Sequence, residues 1–199
     1  VSLGEKDNSY YNYYSEIVNF PMADNSVVLQ PSSKTELIDG KNAITFGAGH
    51  SSEVYEFDVQ VAGVYGLAID YHTIDTDNTA IMLDVTIDGT YYFDESGKLE
   101  LPRYYTDELT NGKFAVDKDG DEIRPSQKEI YNWNELFLAN STGLYSEPYL
   151  FYLTAGHHSL VLSTENDLAV SQLCFSNYET DISYKEYKSQ ISDKNKNVS

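Results

Sequence analysis

Basic residues are scarce in this 199-residue chain. Thirteen Lys+Arg stand against 32 Asp+Glu, for a formal net charge of −19. Such a surface has no basic patch to collect phosphates, which argues against nucleic acid and against direct insertion into anionic membranes. It suits a protein that must stay soluble after export, or one whose ligands are neutral polysaccharides. Cysteine is nearly absent: Cys174 is the single copy, so no intramolecular disulfide forms. Lying in the apolar run Leu173–Phe175, it reads as a small buried apolar residue. No apolar run approaches the roughly twenty residues of a membrane-spanning helix, and no signal peptide is read from the sequence. Also missing are a Gly-x-Ser-x-Gly elbow, a P-loop and a dinucleotide fingerprint. The chain starts at Val1 rather than methionine, as a mature or excised fragment would.

Tyrosine is what the chain has in plenty, at 18 copies. Tyrosine suits strands, and it also suits sugars: the ring face stacks on C–H groups while the hydroxyl takes a hydrogen bond. In Tyr55–Tyr71, Tyr55, Phe57, Val59 and Val61 alternate with polar residues, Ala62-Gly63 interrupts, and Tyr65, Leu67, Ile69 and Tyr71 resume. That two-residue period predicts two half-buried strands, Val54–Val61 and Val64–Tyr71, joined as an antiparallel hairpin. Tyr149–Leu162 repeats the figure around Ala155-Gly156. Further strands are expected at Val27–Leu29, Ala43–Phe46, Ile81–Asp88, Tyr91–Phe93, Trp133–Leu138 and Ala169–Phe175. Turns are expected at Asp39-Gly40 and Asp88-Gly89. The fold class is therefore all-β, a β-sandwich or jelly roll, with short helices at the N- and C-terminal ends. Ser9–Ile17 would be the first helix, capped by Ser9; Ser183 would cap the second. The division is 1–22 as an N-terminal segment, 23–178 as the sandwich, and 179–199 as a short helix and linker leading to further domains of a larger parent protein.

Val59–Tyr71, Ile87–Gly89 and Tyr152–Leu160 follow a V-x-x-A-G-x-Y-x-L-x-I-x-Y, I-D-G and Y-x-L-x-A-G-x-H-x-L order. This resembles carbohydrate-binding β-sandwich domains of galactose-binding-like type. Asp119–Leu153, with YYNYY before it and SYKEY after it, is similar to N-terminal domains of extracellular solute-binding proteins and starch-adherence (amylosome) proteins of gram-positive gut bacteria. The resemblance spans about residues 9–190. It implies extracellular or cell-surface glycan binding without catalysis, and an oligo- or polysaccharide partner, α-glucan such as starch foremost.

A neutral sugar needs aromatic platforms and short polar groups on fixed loops. The long excursion between Asp94 and Pro148 offers both. The carbohydrate-binding candidates are Trp133 (the sole tryptophan), Tyr131, Tyr104, Tyr105, Tyr145, Glu129 and Asn134. Adjacent strand residues face opposite ways, so Tyr104 and Tyr105 would not serve one face together. Asp117, Asp119 and Asp121 alternate as in a calcium loop, but Glu122 and Lys128 stand where an EF-hand requires Gly and Glu. A hairpin turn at Asp119-Gly120, between Lys113–Val116 and Glu122–Arg124, is the better reading. No cofactor is expected, and the resemblance leaves a structural calcium of another type open. His157 and His158 would point to opposite faces, with His158 toward the core and His157 solvated, and so would not share a metal. Two other readings stand beside glycan binding. One is a structural or protein-interaction sandwich of a solute-binding or adhesion complex. The other is a glycoside hydrolase with facing carboxylates such as Glu129 and Glu135.

Overall fold

In Ser52–Val59 the side chains alternate strictly between solvent and core, beginning with exposed Ser52 and ending with buried Val59. This is the period the sequence displays, realised as one strand of a two-sheet sandwich. The computed structural model describes residues 7–74, 79–109, 111–143 and 147–178. Its elements are α1 (Tyr10–Ile17), β1 (Val27–Val28), β2 (Gln30–Pro31), β3 (Glu36–Ile38), β4 (Lys41–Phe46), β5 (Ser52–Val59), β6 (Gly63–Thr73) and β7 (Ile81–Ile87). A 3-10 turn (Asp94–Gly97) then leads to β8 (Leu99–Leu101), β9 (Tyr105–Asp107), β10 (Gln127–Glu129), β11 (Asn134–Phe137), β12 (Leu150–Leu153), β13 (Gly156–Ser163) and β14 (Leu168–Ser176).

The first sheet is built on two long central strands, β6 and β14, paired from Leu168↔Thr73 to Ser176↔Gly66. β11 and β12 lie end to end along the free edge of β6. β4 and β1 do the same along β14, and β3 closes that side. The second sheet runs β2-β5-β13-β7-β8. All the strand pairs are antiparallel. Between the sheets Tyr55, Phe57, Leu160, Leu162, Leu83 and Val85 meet Leu67, Ile69, Tyr71, Leu173 and Phe175 in one buried cluster. Each large apolar side chain so buried contributes about 1.5–3 kcal/mol relative to exposure. The all-β sandwich expected from the sequence is the fold.

The two Ala-Gly figures are not hairpins. β5 belongs to the second sheet and β6 to the first, so Ala62-Gly63 is an arch between sheets. β12 and β13 are split by sheet in the same way. The two arches stand side by side, because β5 pairs with β13 at Val59↔Gly156 and β6 pairs with β12 at Gly63↔Leu153. The Tyr65 hydroxyl bonds the Val61 carbonyl at 2.8 Å and Asn25 at 3.1 Å, which holds the first arch. Alternation reports which face is buried but not which strand lies alongside, and the inference to a hairpin failed there.

True hairpin turns form at Asp39-Gly40 and Asp88-Gly89, both expected from the sequence. Asp39 and Gly40 have φ of 41° and 83°, Asp88 and Gly89 of 52° and 76°, the left-handed pair such two-residue turns require. β3 and β4 pair across the first, at Ile38↔Lys41. Three smaller expectations are corrected. Tyr91–Phe93 is not a strand; the chain turns there into the 3-10 segment, drawn by Phe93, which is fully buried. Ser9 flanks α1 but its side chain makes no cap bond; Glu95 from the 3-10 turn accepts the Tyr10 amide at 2.8 Å instead. Cys174 is only half-buried, since it faces outward between core residues Leu173 and Phe175, and partial burial pushes its thiol pKa up. The expected C-terminal helix lies outside the described residues.

Candidate binding cleft

The loops at the end of the sandwich away from the arches line an open cleft of about 940 Å³. β7 supplies outward-facing Met82 and Asp84, and β13 supplies Ser163. The β13–β14 loop supplies Thr164, Glu165, Asn166 and Asp167, while Thr79 and Ala80 close one end. The loop is fastened to β7 by Asn166. Its Oδ1 accepts the Met82 amide at 3.0 Å and its Nδ2 donates to the Ala80 carbonyl at 3.3 Å. The buried Thr164 hydroxyl donates to the Met82 carbonyl at 2.8 Å. A rigid polar wall results, of the kind that orients a ligand's hydroxyls.

Tyr91 forms the opposite wall. The Asp88-Gly89 turn reverses the chain and brings Tyr91 back over Asp84, whose Oδ2 accepts the phenol hydrogen at 2.5 Å. That bond pushes the Tyr91 pKa up, because the phenolate form could not donate it. Behind the ring stands Gly97 of the 3-10 turn; a Cβ there would come 3.2 Å from Tyr91 Cε1. Tyr91 nevertheless keeps 47% of its surface exposed. It is an aromatic platform fixed by a glycine behind it and a carboxylate beside it. Asp84, Glu165 and Asp167 add hydrogen-bond acceptors. Among the described residues no lysine, arginine or histidine lines the cleft.

The residues singled out from sequence fall elsewhere, in two groups. β9 and β10 form a two-stranded ribbon that leaves the sandwich, and Tyr104 and Tyr105 are exposed at its root. There Arg103 Nη1 meets Glu129 Oε1 at 2.8 Å, with side chains only 5% and 6% exposed. Tyr131 donates to the other oxygen of Glu129 at 3.4 Å. Arg103 Nε also donates to the Thr79 carbonyl at 2.7 Å, so the ribbon root is bolted to the end of the cleft. Glu129 is thus held in an ion pair at the foot of the ribbon.

Trp133 lies over the outer face of the first sheet. Its indole N–H donates to the Asp39 carbonyl at 3.1 Å, the Lys41 ammonium sits 5.0 Å from its ring centroid, and His72 meets it edge-on. Lys41 in turn pairs with Asp70 at 2.5 Å. Asn134, at the head of β11, donates to the Asn132 carbonyl. Tyr145 lies outside the described residues.

The Asp117 loop is the small hairpin the sequence suggested, with Val116 bridged to Glu122. Asp117 Oδ1 accepts the amides of Asp119 and Asp121, and among the described residues no three His, Cys, Asp or Glu side chains converge as a metal set. His158 is buried, bonded to Asp88 at 2.7 Å and to the Thr154 carbonyl at 2.9 Å. His157 is exposed between Asp58 and Glu56, and its hydrogen bond to Asp58 pushes its pKa up.

Sequence reasoning missed Tyr91 and the β13–β14 loop. The available signal was Asp88-Gly89: a hairpin turn followed two residues later by a tyrosine returns that ring toward the strand just left.

No protein-family model and no curated protein sequence matches the chain. Solved structures similar in shape include a family 35 carbohydrate binding module from Clostridium thermocellum, at 10% identity and TM-score 0.34, covering 79% of this chain and 97% of that one. The catalytic domain of a GH87 alpha-1,3-glucanase in complex with nigerose matches at 12% identity and TM-score 0.40, over 79% of this chain and 29% of that one. The Cry4Aa toxin from Bacillus thuringiensis matches at 12% identity and TM-score 0.39, over 75% and 23%. This chain spans less than a third of the length of the glucanase and of the toxin. Likenesses of this depth assign neither family nor activity, and the galactose-binding-like reading rests on the motifs alone.

Proposed function

We propose that this chain is a non-catalytic carbohydrate-binding domain of an extracellular or cell-surface protein, and that it holds an oligo- or polysaccharide, α-glucan foremost, in the cleft beside Tyr91. The observation that carries the reading is the fixed Tyr91 ring, braced by Gly97 and Asp84 and facing a cleft walled by Asn166, Ser163 and Glu165. The ring excludes water from a sugar's apolar face, and the carboxylates of Glu165 and Asp167 accept from its hydroxyls. Affinity electrophoresis on starch, xylan and mannan gels tests it. Retardation by starch that Tyr91→Ala weakens by about thirtyfold, the effect of losing an anchor worth about 2 kcal/mol, supports it. Migration unretarded by every glycan rejects it.

A second reading is favoured by the ribbon. Leu109, Phe114, Val116 and Ile123 are all exposed on the segment that joins its two strands. A protein-interaction module would use these apolar side chains, and it would bind no glycan.

A further inference from the structure

Tyr91 and Tyr92 are neighbours in the chain, yet they line two different depressions. Tyr91 borders the cleft; Tyr92 borders a groove of about 360 Å³ with Tyr13, Glu16, Ile17, Phe20 and Tyr152. Successive Cα atoms of the chain are only about 3.8 Å apart. One segment of backbone therefore separates the two depressions.

The groove is built from aromatic rings in fixed positions. Phe20 and Tyr152 pack at 4.6 Å between centroids, tilted by 33°. Tyr13 and Tyr92 meet at 5.8 Å, and the Tyr13 hydroxyl accepts the Tyr152 amide at 2.8 Å. Tyr92 is pinned from behind by Phe151 at 6.0 Å. Phe20 remains 46% exposed although it touches this cluster. Aromatic faces that are rigid and accessible cost little ordering entropy when they bind, and they suit the C–H face of a pyranose.

The geometry points to a second saccharide subsite in this groove, occupied by further sugar units of the same glycan chain that fills the cleft and passes over the Tyr91-Tyr92 segment. This rests on the cleft being a glycan site. The second contact is then intramolecular, so affinity rises with chain length without any change in the cleft.

Isothermal titration of the folded protein with maltose and with maltoheptaose tests it. The expected result is maltoheptaose binding at least about tenfold tighter than maltose. Phe20→Ala, an exposed position, then brings maltoheptaose down to the maltose value, and Tyr152→Ala does the same. Tyr91→Ala weakens both sugars. Equal affinity for the two sugars overturns the subsite while leaving the cleft standing. So does an undiminished length effect in both groove variants, which would give the groove to another occupant such as an apolar protein segment. Absence of binding to either sugar overturns the cleft reading itself, and the subsite with it.

Discussion

Tyr91 lies against Gly97 so closely that a methyl group on the glycine would stand 3.2 Å from the ring, tighter than ordinary packing allows. The two residues are a platform and its backing, six positions apart across a 3-10 turn. Gly97→Ala is expected to push the ring toward Asp84 or into the cleft. Since Gly97 is not in the left-handed region, the backbone tolerates alanine, and stability should fall by about 1 kcal/mol or less. Starch retardation should fall by about tenfold, as the platform is displaced. Native gels and a thermal melt on the same preparation separate the two effects.

Trp133 is the sole tryptophan, and it is anchored on the first sheet by Asp39, Lys41 and His72 rather than in the cleft. Its fluorescence should therefore stay constant while maltoheptaose saturates the protein. A shifted emission maximum on binding would move the sugar onto the face that carries Trp133.

Glu129 sits at the ribbon root opposite a guanidinium only 5% exposed. Glu129→Ala removes its carboxylate from a largely desolvated pair, a loss of about 3 kcal/mol. Among the described residues β9 and β10 place no side chain in the main core, so the cost should appear as local opening. Amides of β9 and β10 are expected to exchange about a hundredfold faster, with the exchange of β6 and β14 unchanged. Hydrogen-exchange mass spectrometry reads both in one experiment.

Burial pushes up the pKa of Tyr10, Tyr13, Tyr55 and Tyr71, and takes that of Tyr92 to about 12. The unfolded chain releases phenol protons near pH 10, so these groups favour the folded state fully below about pH 10. That contribution is lost as pH rises from there toward 12 and beyond. Thermal midpoints should hold up to about pH 10 and then drop steeply, with phenolate absorbance appearing together with unfolding. Phenolate formed gradually in a still-folded protein would contradict this.

Most strands were legible because their faces differ in polarity. β5, β7 and β13 show the two-residue period and appear within a few residues of where it predicts. β6 is buried on nearly its whole length, yet its inward Tyr65, Leu67, Ile69 and Tyr71 still stood out against smaller outward residues. Pairing was not legible: nothing in Ala62-Gly63 distinguishes a hairpin from an arch, since both need a tight turn between alternating segments. The site was less legible still. Exposure of Tyr91 depends on Gly97, on Asp84 and on a loop more than sixty residues later, none marked by local spacing. The irregular stretch around Trp133 has the composition of a sugar platform, but its irregularity reflects a ribbon and its anchoring pair.

The arches have a kinetic consequence. Because the chain changes sheet at each of them and again between β13 and β14, no contiguous stretch can complete either sheet. The strand at the middle of each is also among the last made: β13 for one, β14 for the other. Folding must then wait for the full chain and proceed through distant pairings, which places it in the slow, millisecond-to-second class of all-β domains. The cleft, whose wall is the loop between those two strands, can come into being only in that concluding step.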